Sequence, residues 1–500
     1  AVNECWLSDR DRFSYEALNS PERLTAPMLK RDGRWQEVDW REAMDAVAAG
    51  LKQAASDVGI LATPHSTLEE LFLAGRIAQG IGGSADFRLR QSDFSADGHR
   101  GGIPWLGMPI ADLWRLDRVL LVGSFLRKDQ PLLAHRLRQA ARRGTQINVL
   151  HSVDDDLLMP VANRKIVSPS ELPAALASIA DGPVGASLKS GKSVGILLGN
   201  FAQQHPAAAQ IHAIAQGLAS SLGAKLGVLG EAANSVGGHV AGLPVGKNAH
   251  AMLHQPQRAY VLLNTEPELD CADPHAALGA LRKAEFVVAL SAFRDAATEY
   301  AHVLLPIAPF TETAGTFVST EGRVQSFHPA VRPIGESRPA WKVLRVLGEM
   351  LGLPGFDYDT IERVRADCLG GKDVAALLSN QVDVAAVKAA HLVPGLKRIA
   401  DVPIYSADAL VRRSPSLQKT SDARTPRCWM NAALLKSIEV APGQPVLVRQ
   451  GTGEARLEAA LDDKLPEGCV RVAAGHPSTA GLGAMFGSLS VARVEMEQAA

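Results

Sequence analysis

The chain has 500 residues, of which 46% are hydrophobic, and its formal net charge is −1. A chain of this length is too long for a single hydrophobic core, so two to four domains are predicted. The balanced charge argues against partners such as nucleic acid. The longest apolar runs are only strand-length, so no direct membrane insertion is expected. The first residues lack the basic and apolar regions of a signal peptide and start without Met, which suggests a fragment of a larger subunit.

The lead-in segment, 1–40, is polar and ends at the start of a predicted helix, Trp40–Gln53. Asp39 is placed to cap this helix, because Ala43 and Leu51 follow at helical spacing. The five cysteines are far apart in sequence, which is typical of separate thiols rather than a disulfide framework. They are Cys5, Cys271, Cys368, Cys428 and Cys469.

Short apolar strands then alternate with helices. The predicted strands are Gly59–Ala62, Arg118–Gly123, Gln146–Leu150, Val194–Leu198, Ala259–Asn264, Phe286–Leu290 and His302–Pro306. The predicted helices are Leu68–Gly80, Leu132–Arg143, Pro206–Leu222 and Pro274–Lys283. This alternation predicts an α/β fold of βαβ units with parallel sheets.

We divide this α/β body into a first lobe, 41–184, and a second lobe, 185–345, separated by a Gly/Ser/Lys-rich break at Gly185–Ser193. In each lobe one loop should lie at the carboxyl ends of the strands, where open α/β sheets bind ligands. These loops are Ser124–Pro131 and Thr265–Asp273.

The remaining chain changes character twice. Residues 346–427 form a predicted helical segment that ends in a polar linker, Arg412–Arg427. Residues 428–497 contain short alternating stretches and turn residues, which predict a small C-terminal β-barrel. Its strands are expected at Val446–Arg449, Ala455–Leu461 and Val470–Ala473.

The segment Thr311–Phe327 (TETAGTFVSTEGRVQSF) is predicted to be a hairpin with glycines at Gly315 and Gly322. It resembles the core signature of the molybdopterin-oxidoreductase superfamily, and in detail the branch found in the large iron–sulfur subunit of bacterial respiratory complex I. The N-terminal run Ser8–Tyr15 and the following Leu18–Leu24 are also similar to that family. The resemblance covers nearly the whole chain and implies a two-lobed α/β body with a C-terminal β-barrel.

The sequence departs from the enzymes of this family at their cofactor sites. The enzymes place the last of four cluster-binding cysteines where this chain has Ser8, and Cys5 is the nearest thiol. Three more cysteines lying upstream, with Cys5 as the fourth ligand, remain an alternative. The region of the family's metal ligand, Gln91–His99, has no cysteine, and Ser92, Asp93 and Ser95 are either oxygen ligands or parts of a polar loop.

Where the enzymes of this family have a phosphate anchor, this chain has Asp154, Asp155 and Asp156, which would repel a pyrophosphate. The resemblance therefore implies no molybdopterin, no metal ligand and no catalytic residue in this segment. It also implies a vestigial site, whose candidate residues are Asp9, Arg12, Glu312, Gly315, Glu321, Gly322 and Arg323. We expect Glu312, Glu321 and Arg323 to tie the hairpin to the α/β body.

The implied function is structural: support for electron transfer from NADH to quinone through [2Fe–2S] and [4Fe–4S] clusters in upstream domains. The implied partners are other peripheral-arm subunits of complex I, at the cytoplasmic side of the bacterial inner membrane. The alternative function is an active molybdenum or tungsten pterin enzyme resembling formate dehydrogenase. A generic α/β binding module is the third hypothesis.

Three further motifs have simpler interpretations. His250 and His254 have the spacing of a metal pair but lack a third ligand, which favours a packing role. The Gly191-Lys192-Ser193 triplet lacks the first glycine of a P-loop and precedes a strand. A basic cluster lies on one helix and is either a solvated face or a surface for a partner; it comprises Arg136, Arg138, Arg142 and Arg143.

Overall fold

The computed structural model describes residues 5–294, 296–387 and 394–494, so the predicted ranges 1–40, 346–427 and 428–497 each extend partly outside the described residues. The strands are β1 (Met28–Arg31), β2 (Arg34–Glu37), β3 (Val58–Ala62), β4 (Ser84–Asp86), β5 (Arg118–Val122), β6 (Gln146–His151), β7 (Asn163–Ile166), β8 (Val194–Leu198), β9 (Lys225–Val228), β10 (Ala259–Leu263), β11 (Phe286–Ser291), β12 (Val303–Pro306), β13 (Gly315–Val318), β14 (Val324–Phe327), β15 (Leu396–Ile399), β16 (Cys428–Met430), β17 (Pro445–Gln450), β18 (Gly453–Leu461), β19 (Cys469–Arg471) and β20 (Ser488–Arg493).

The α-helices are α1 (Asp9–Phe13), α2 (Trp40–Ala54), α3 (Leu68–Ile81), α4 (Leu126–Asp129), α5 (Pro131–Arg142), α6 (Leu172–Ala177), α7 (Pro183–Lys189), α8 (Asn200–Gln204), α9 (Ala208–Leu222), α10 (Ser235–Val240), α11 (Ala249–His254), α12 (Pro267–Asp270), α13 (Pro274–Lys283), α14 (Ala297–Tyr300), α15 (Ala340–Met350), α16 (Ile361–Leu369), α17 (Val374–Leu377), α18 (Pro415–Gln418) and α19 (Ala432–Ser437). The predicted cap of α2 is confirmed, because the Asp39 carboxylate accepts a hydrogen bond from the Glu42 backbone N–H.

Two open sheets carry the α/β body, which confirms the predicted fold class. The larger sheet has seven strands in the order β2-β1-β12-β11-β10-β3-β4. Its β3, β4, β10, β11 and β12 run parallel, and β1 and β2 join antiparallel at one edge. The smaller sheet is entirely parallel, with the order β7-β6-β5-β8-β9.

The sheets divide the chain differently from the predicted lobes 41–184 and 185–345. The five-stranded sheet uses residues 118–228 as an insertion between β4 and β10 of the larger sheet. Strand β8, in the predicted second lobe, pairs in parallel with β5 of the predicted first lobe. A continuous apolar strand pattern indicates burial on both faces but carries no information about which sheet the strand joins.

The predicted break at Gly185–Ser193 is wrong over its first half, which is helix α7. Pro183 starts the helix, and Val184 and Leu188 pack into the core of the five-stranded sheet. The burial of these two apolar side chains outweighs the low helix propensity of the neighbouring Gly and Ser.

The C-terminal β-barrel is confirmed and is closed, with the strand order β15-β19-β16-β18-β17-β20. It begins earlier than the predicted boundary at residue 428, because β15 pairs with both β19 and β20. The predicted linker Arg412–Arg427 is instead folded onto the body: Ser414 and Ser416 hydrogen-bond to Glu16 near the N-terminus. Over the described parts of the chain, no helix combines the length and the apolar character that a membrane crossing requires.

Candidate functional site

A cleft lies where the carboxyl ends of the two sheets face each other. One wall carries Pro64 and Arg88, which follow β3 and β4, and the other carries Asn200 and Gly230, which follow β8 and β9. The turn of the β13–β14 hairpin contributes Thr320, and the cavity has a volume of about 70 Å³. This is the edge at which open α/β sheets bind ligands, so the cleft is the candidate functional site.

An arginine joins the two walls of this cleft. Arg90 follows β4 of the seven-stranded sheet, and its guanidinium lies 3.0 Å from Glu231, which follows β9 of the five-stranded sheet. The same guanidinium lies 2.9 Å from the Asp270 carboxylate in the predicted loop Thr265–Asp273. Since the Arg90 side chain is only 6% exposed, this ion-paired link between the sheets is shielded from water.

A second arginine reaches the same carboxylates from the C-terminal part of the chain. Arg412 lies 2.7 Å from Glu266 and 2.6 Å from Asp270. Burial acts to raise the pKa of Asp270, but Arg412 and Arg90 together hold that pKa below its ordinary value. We call Arg90, Glu231, Glu266, Asp270 and Arg412 the inner cluster; each of its carboxylates is paired with an arginine.

The opposite end of the cleft borders the barrel. Arg471 of β19 lies 3.0 Å from Asp401 and 3.4 Å from Asp155. Asp154 pairs with Arg164 at 2.8 Å and with Lys464 at 3.2 Å. The Asp154–Asp156 run is therefore a turn tied by ion pairs to the barrel.

One carboxylate at this barrel end lacks such compensation. Asp129 is the last residue of α4, which lies in the predicted loop Ser124–Pro131. Its buried Oδ2 atom has no hydrogen-bond partner. Burial, followed by repulsion from Asp401, raises the pKa of Asp129 to about 8. Asp129 lines both an inner cavity of about 30 Å³ and a groove of about 270 Å³ against the barrel. We call Asp129, Asp155, Asp401 and Arg471 the barrel-end cluster.

Comparison with known proteins identifies the family behind this architecture. The family model for molybdopterin oxidoreductase matches residues 23–350. The chain belongs to the molybdopterin oxidoreductase family. The predicted resemblance to this family is thus confirmed.

Several curated relatives are named as subunits of NADH-quinone or NADH-ubiquinone oxidoreductase. The chain is 28% identical to an NADH-quinone oxidoreductase subunit of Mycobacterium bovis, over 92% of this chain and 62% of that protein. It is 26% identical to the mitochondrial NADH-ubiquinone oxidoreductase 78 kDa subunit of Neurospora crassa, over 85% of this chain and 59% of that protein. The chain thus spans less than two thirds of the length of these relatives.

A solved structure shares the whole architecture. Acetylene hydratase from Pelobacter acetylenicus superposes with a TM-score of 0.75, covering 98% of this chain and 94% of that one. The sequence identity is only 12%, so this likeness concerns the molybdopterin-oxidoreductase fold alone.

The β13–β14 hairpin is fastened by two glutamates, one before its first strand and one at its turn. Glu312 makes a bidentate pair with Arg23, at 2.8 and 2.9 Å, and both side chains are 3% exposed. Glu321, at the turn, accepts a hydrogen bond from the Ile110 backbone N–H at 2.6 Å and another from Arg323 at 2.9 Å. Arg323 itself is 57% exposed. These contacts tie the hairpin to the lead-in segment and to the five-stranded unit.

The two hairpin glycines permit close packing. A side chain at Gly315 would meet the Thr67 methyl at 2.3 Å, and one at Gly322 would meet Leu378 at 2.3 Å. Gly322 also has a φ of +84°, which glycine adopts with little strain. Their positions are explained by backbone geometry and packing.

Two predicted site residues lie away from the cleft. Asp9 and Arg12 are on the exposed side of α1, whereas their neighbour Arg10 lines the inner cavity. Sequence reasoning missed Arg10, and it missed Arg90 and Arg412 as well. Their signal in the sequence is slight: Arg90 directly precedes the region of the expected metal ligand, and Arg412 opens the segment interpreted as a linker.

The side chains that were weighed as possible metal ligands have other contacts. Asp93 accepts hydrogen bonds from the Ala209 and Ser95 backbone N–H groups, which fits the polar-loop interpretation. His254 stacks on His250 with ring centroids 3.9 Å apart. Within the described ranges, no group of three or more His, Cys, Asp or Glu side chains is arranged to hold a metal ion.

Proposed function

We propose that this chain is the molybdopterin-oxidoreductase-like portion of the large peripheral-arm subunit of an NADH:quinone oxidoreductase, where it acts as a structural support. In this proposal, electrons pass from NADH to quinone through iron–sulfur clusters in upstream domains, and this chain binds no molybdopterin. The observation that carries the proposal is the inner cluster, in which Arg90 joins the two walls of the cleft. The names of the curated relatives support the assignment to this complex.

The residues of the cleft do not fit a pterin dinucleotide. Such a cofactor is anionic through its phosphates, and the inner cavity is lined by three carboxyl groups, of Asp129, Glu231 and Asp401, as well as by the cations Arg10, Arg90 and Lys128. Two of these cations already pair with carboxylates of the chain: Arg90 with Glu231 and Asp270, and Lys128 with Asp422. Their charge is therefore compensated before a phosphate could bind. The cavities of about 70 and 30 Å³ and the groove of about 270 Å³ are also smaller than the ~300–1,000 Å³ typical of sites that enclose a small ligand.

Four of the five thiols are buried away from the cleft, and the fifth, Cys5, is exposed. Cys271, Cys368, Cys428 and Cys469 are buried, and burial raises the pKa of each of these thiols, which disfavours the metal-binding thiolate. None of them lines the cavities described above.

A rigid support suits a protein that holds electron carriers at fixed separations. The arginine bridges connect the seven-stranded sheet, the five-stranded sheet and the C-terminal segment into one body. We propose that this body holds the cluster-bearing domains against other peripheral-arm subunits, on the cytoplasmic side of the bacterial inner membrane.

The test is to purify, from native membranes, the assembly that contains the natural full-length protein. Its partner subunits are identified by mass spectrometry, its NADH:quinone reductase activity is assayed, and its molybdenum, tungsten and pterin are quantified per chain. The expected result is an active NADH dehydrogenase assembly with molybdenum, tungsten and pterin each far below one per chain. Near-stoichiometric molybdenum or tungsten with pterin would overturn the structural role and favour a formate-dehydrogenase-like enzyme.

A further inference from the structure

The cleft between the two sheets contains a half-buried arginine without an ion-pair partner among the described residues. Arg100 lines the cavity of about 70 Å³ in this cleft, which we call the cleft cavity. The Nε atom of its guanidinium is buried without a hydrogen-bond partner, and the guanidinium makes no side-chain hydrogen bond within the described ranges. Arginines withdrawn from water are usually paired, so Arg100 is a candidate to bind an anion.

The other arginine of the cleft cavity is matched within the chain. Arg88 also lines the cavity, but its guanidinium lies 2.9 Å from Asp86 and 2.7 Å from Asp97. Asp97 is thus held by Arg88 and attracts Arg100 only from a distance. Burial and repulsion from Arg88 lower the pKa of Arg100 in spite of this attraction. A negative charge in the cavity would therefore stabilise the Arg100 cation.

The two carboxylates that line the cleft cavity have donors of their own. Glu231 pairs with Arg90 of the inner cluster. Both oxygens of Asp93 accept hydrogen bonds, Oδ1 from the Ser95 backbone N–H and hydroxyl and Oδ2 from the Ala209 backbone N–H. The one unpaired cation of the cavity therefore matches a monoanion, whereas a dianion would be repelled by the two carboxylates.

The size of the cleft cavity limits its ligand to a few heavy atoms. At ~10–15 Å³ for one water-sized group, a volume of about 70 Å³ holds roughly five to seven such groups, which excludes a nucleotide. Part of the lining is apolar and comprises Phe87, Pro104 and Val236. The Gln204 side chain lines the same cavity, and its amide makes no hydrogen bond within the part of the chain that the structure describes. This lining suits a small anion that carries a short hydrocarbon chain.

We infer that the cleft cavity binds a short-chain monocarboxylate, such as acetate, propionate or butyrate, with its carboxylate on the Arg100 guanidinium. A carboxylate suits this position because its two oxygens accept hydrogen bonds from two parallel N–H groups of a guanidinium. The hydrocarbon chain lies against Phe87, Pro104 and Val236, and the Gln204 amide is a further donor in the same cavity. The inference goes beyond the proposed function and does not depend on it, because a structural body can also contain a ligand site.

The test measures the binding of radiolabelled propionate to the natural full-length protein in its purified native assembly, by equilibrium dialysis. The expected result is saturable binding of one propionate per chain, with displacement by acetate and butyrate. Chloride and sulfate at the same ionic strength should displace it poorly. Equal displacement by chloride would show a general anion site and would overturn the inference, as would the absence of saturable binding.

A substitution of the arginine assigns the binding to this cavity. Arg100→Met keeps much of the side-chain volume but removes the guanidinium, and it should weaken propionate binding by about tenfold or more. The matched control is Arg345→Met on α15. Arg345 also has a buried Nε atom without a hydrogen-bond partner, but it is paired with Glu349 and lies outside the cleft cavity. Equal affinities in the two variants would contradict the inference.

Thermal unfolding of the purified full-length protein separates a ligand-binding arginine from a structural one. Without propionate, Arg100→Met should not lower the melting temperature, because the guanidinium has no side-chain partner to lose. Propionate should raise the melting temperature of the unsubstituted protein and of the Arg345 variant, but not that of the Arg100 variant. A loss of stability in Arg100→Met without propionate would assign Arg100 a structural role and overturn the inference.

Discussion

The inner cluster and the barrel-end cluster of the cleft contain the same types of charged side chain but balance them differently. In the inner cluster, Asp270 lies within 3 Å of both Arg90 and Arg412. At the barrel end, the Oδ2 atom of Asp129 is buried without a hydrogen-bond partner, and burial of the carboxyl group raises its pKa to about 8. The contrast teaches that arginine pairing lowers the pKa of the buried Asp270 at one end of the cleft, whereas burial without such pairing raises the pKa of Asp129 at the other.

Removing the inner bridge should have the largest effect. Arg90→Met keeps much of the side-chain volume but leaves Glu231 without its ion-pair partner and Asp270 with only Arg412. The free energy of unfolding should fall by about 3 kcal/mol or more, since breaking a buried pair leaves an uncompensated charge. Denaturant unfolding of the purified chain measures it.

The matched control for this experiment is Arg282→Met, whose side chain is 61% exposed and 3.8 Å from its nearest carboxylate. It should change stability little. If the two variants unfold at the same denaturant concentration, the inner cluster does not hold the sheets together.

Asp129 should dominate the pH dependence at the barrel end. In the folded chain it keeps its proton up to a pH of about 8, whereas in the unfolded chain it loses the proton near its ordinary pKa of 3.8. Folding therefore favours the protonated carboxyl group. The contribution of Asp129 to the free energy of unfolding is fully present below pH 4 and is lost as the pH rises towards 8. The slope attributable to this group is at most about 1.4 kcal/mol per pH unit.

Asp129→Asn should remove this slope. Compared with the unsubstituted chain, the variant should gain relative stability as the pH rises from 5 to 8, as measured by thermal unfolding. Asp45→Asn, on the exposed face of α2, is the control for the loss of one carboxylate. Parallel pH profiles for the Asp129 variant and the unsubstituted chain would show that this carboxyl is not kept neutral by burial.

The smallest effect is expected outside both clusters, at the hairpin turn. Arg323→Ala removes a pair with Glu321, but Arg323 is 57% exposed and Glu321 keeps its hydrogen bond from Ile110. The melting temperature should fall slightly, in line with the ~0.2–1 kcal/mol of exposed pairs, and redox signals of the assembly should be unchanged. An unchanged melting temperature would contradict a tie through Arg323.

Much of the fold was predictable because its signals are local. The strand Val194–Leu198 and the helix Pro274–Lys283 have the bounds predicted from apolar runs and from proline at the helix start. The cap at Asp39 needs only the three residues that follow it. Such features depend on neighbours in the sequence, so composition and spacing reveal them.

The missed features depend on partners far away in the chain. Arg412 falls in a predicted linker because its neighbours are polar, but its partners Glu266 and Asp270 precede it by about 140 residues. Asp9 and Arg12 were predicted as site residues in place of Arg10. A helix of only five residues is too short for its sequence to indicate which face packs against the rest of the protein. The family resemblance locates the hairpin correctly, but it cannot identify the arginines that cross the cleft.

The insertion of the five-stranded sheet has a consequence for synthesis on the ribosome. Val58 of β3 pairs with Ala259 of β10, about 200 residues later, whereas all strands of the inserted sheet lie within residues 118–228. At a translation rate of ~5–20 residues per second, β10 is synthesised roughly 10 to 40 s after β3. The inserted unit can complete its own sheet during that interval, while the apolar edge of β3 stays available for mispairing. The order of translation therefore leaves the larger sheet incomplete for longer than the inserted one.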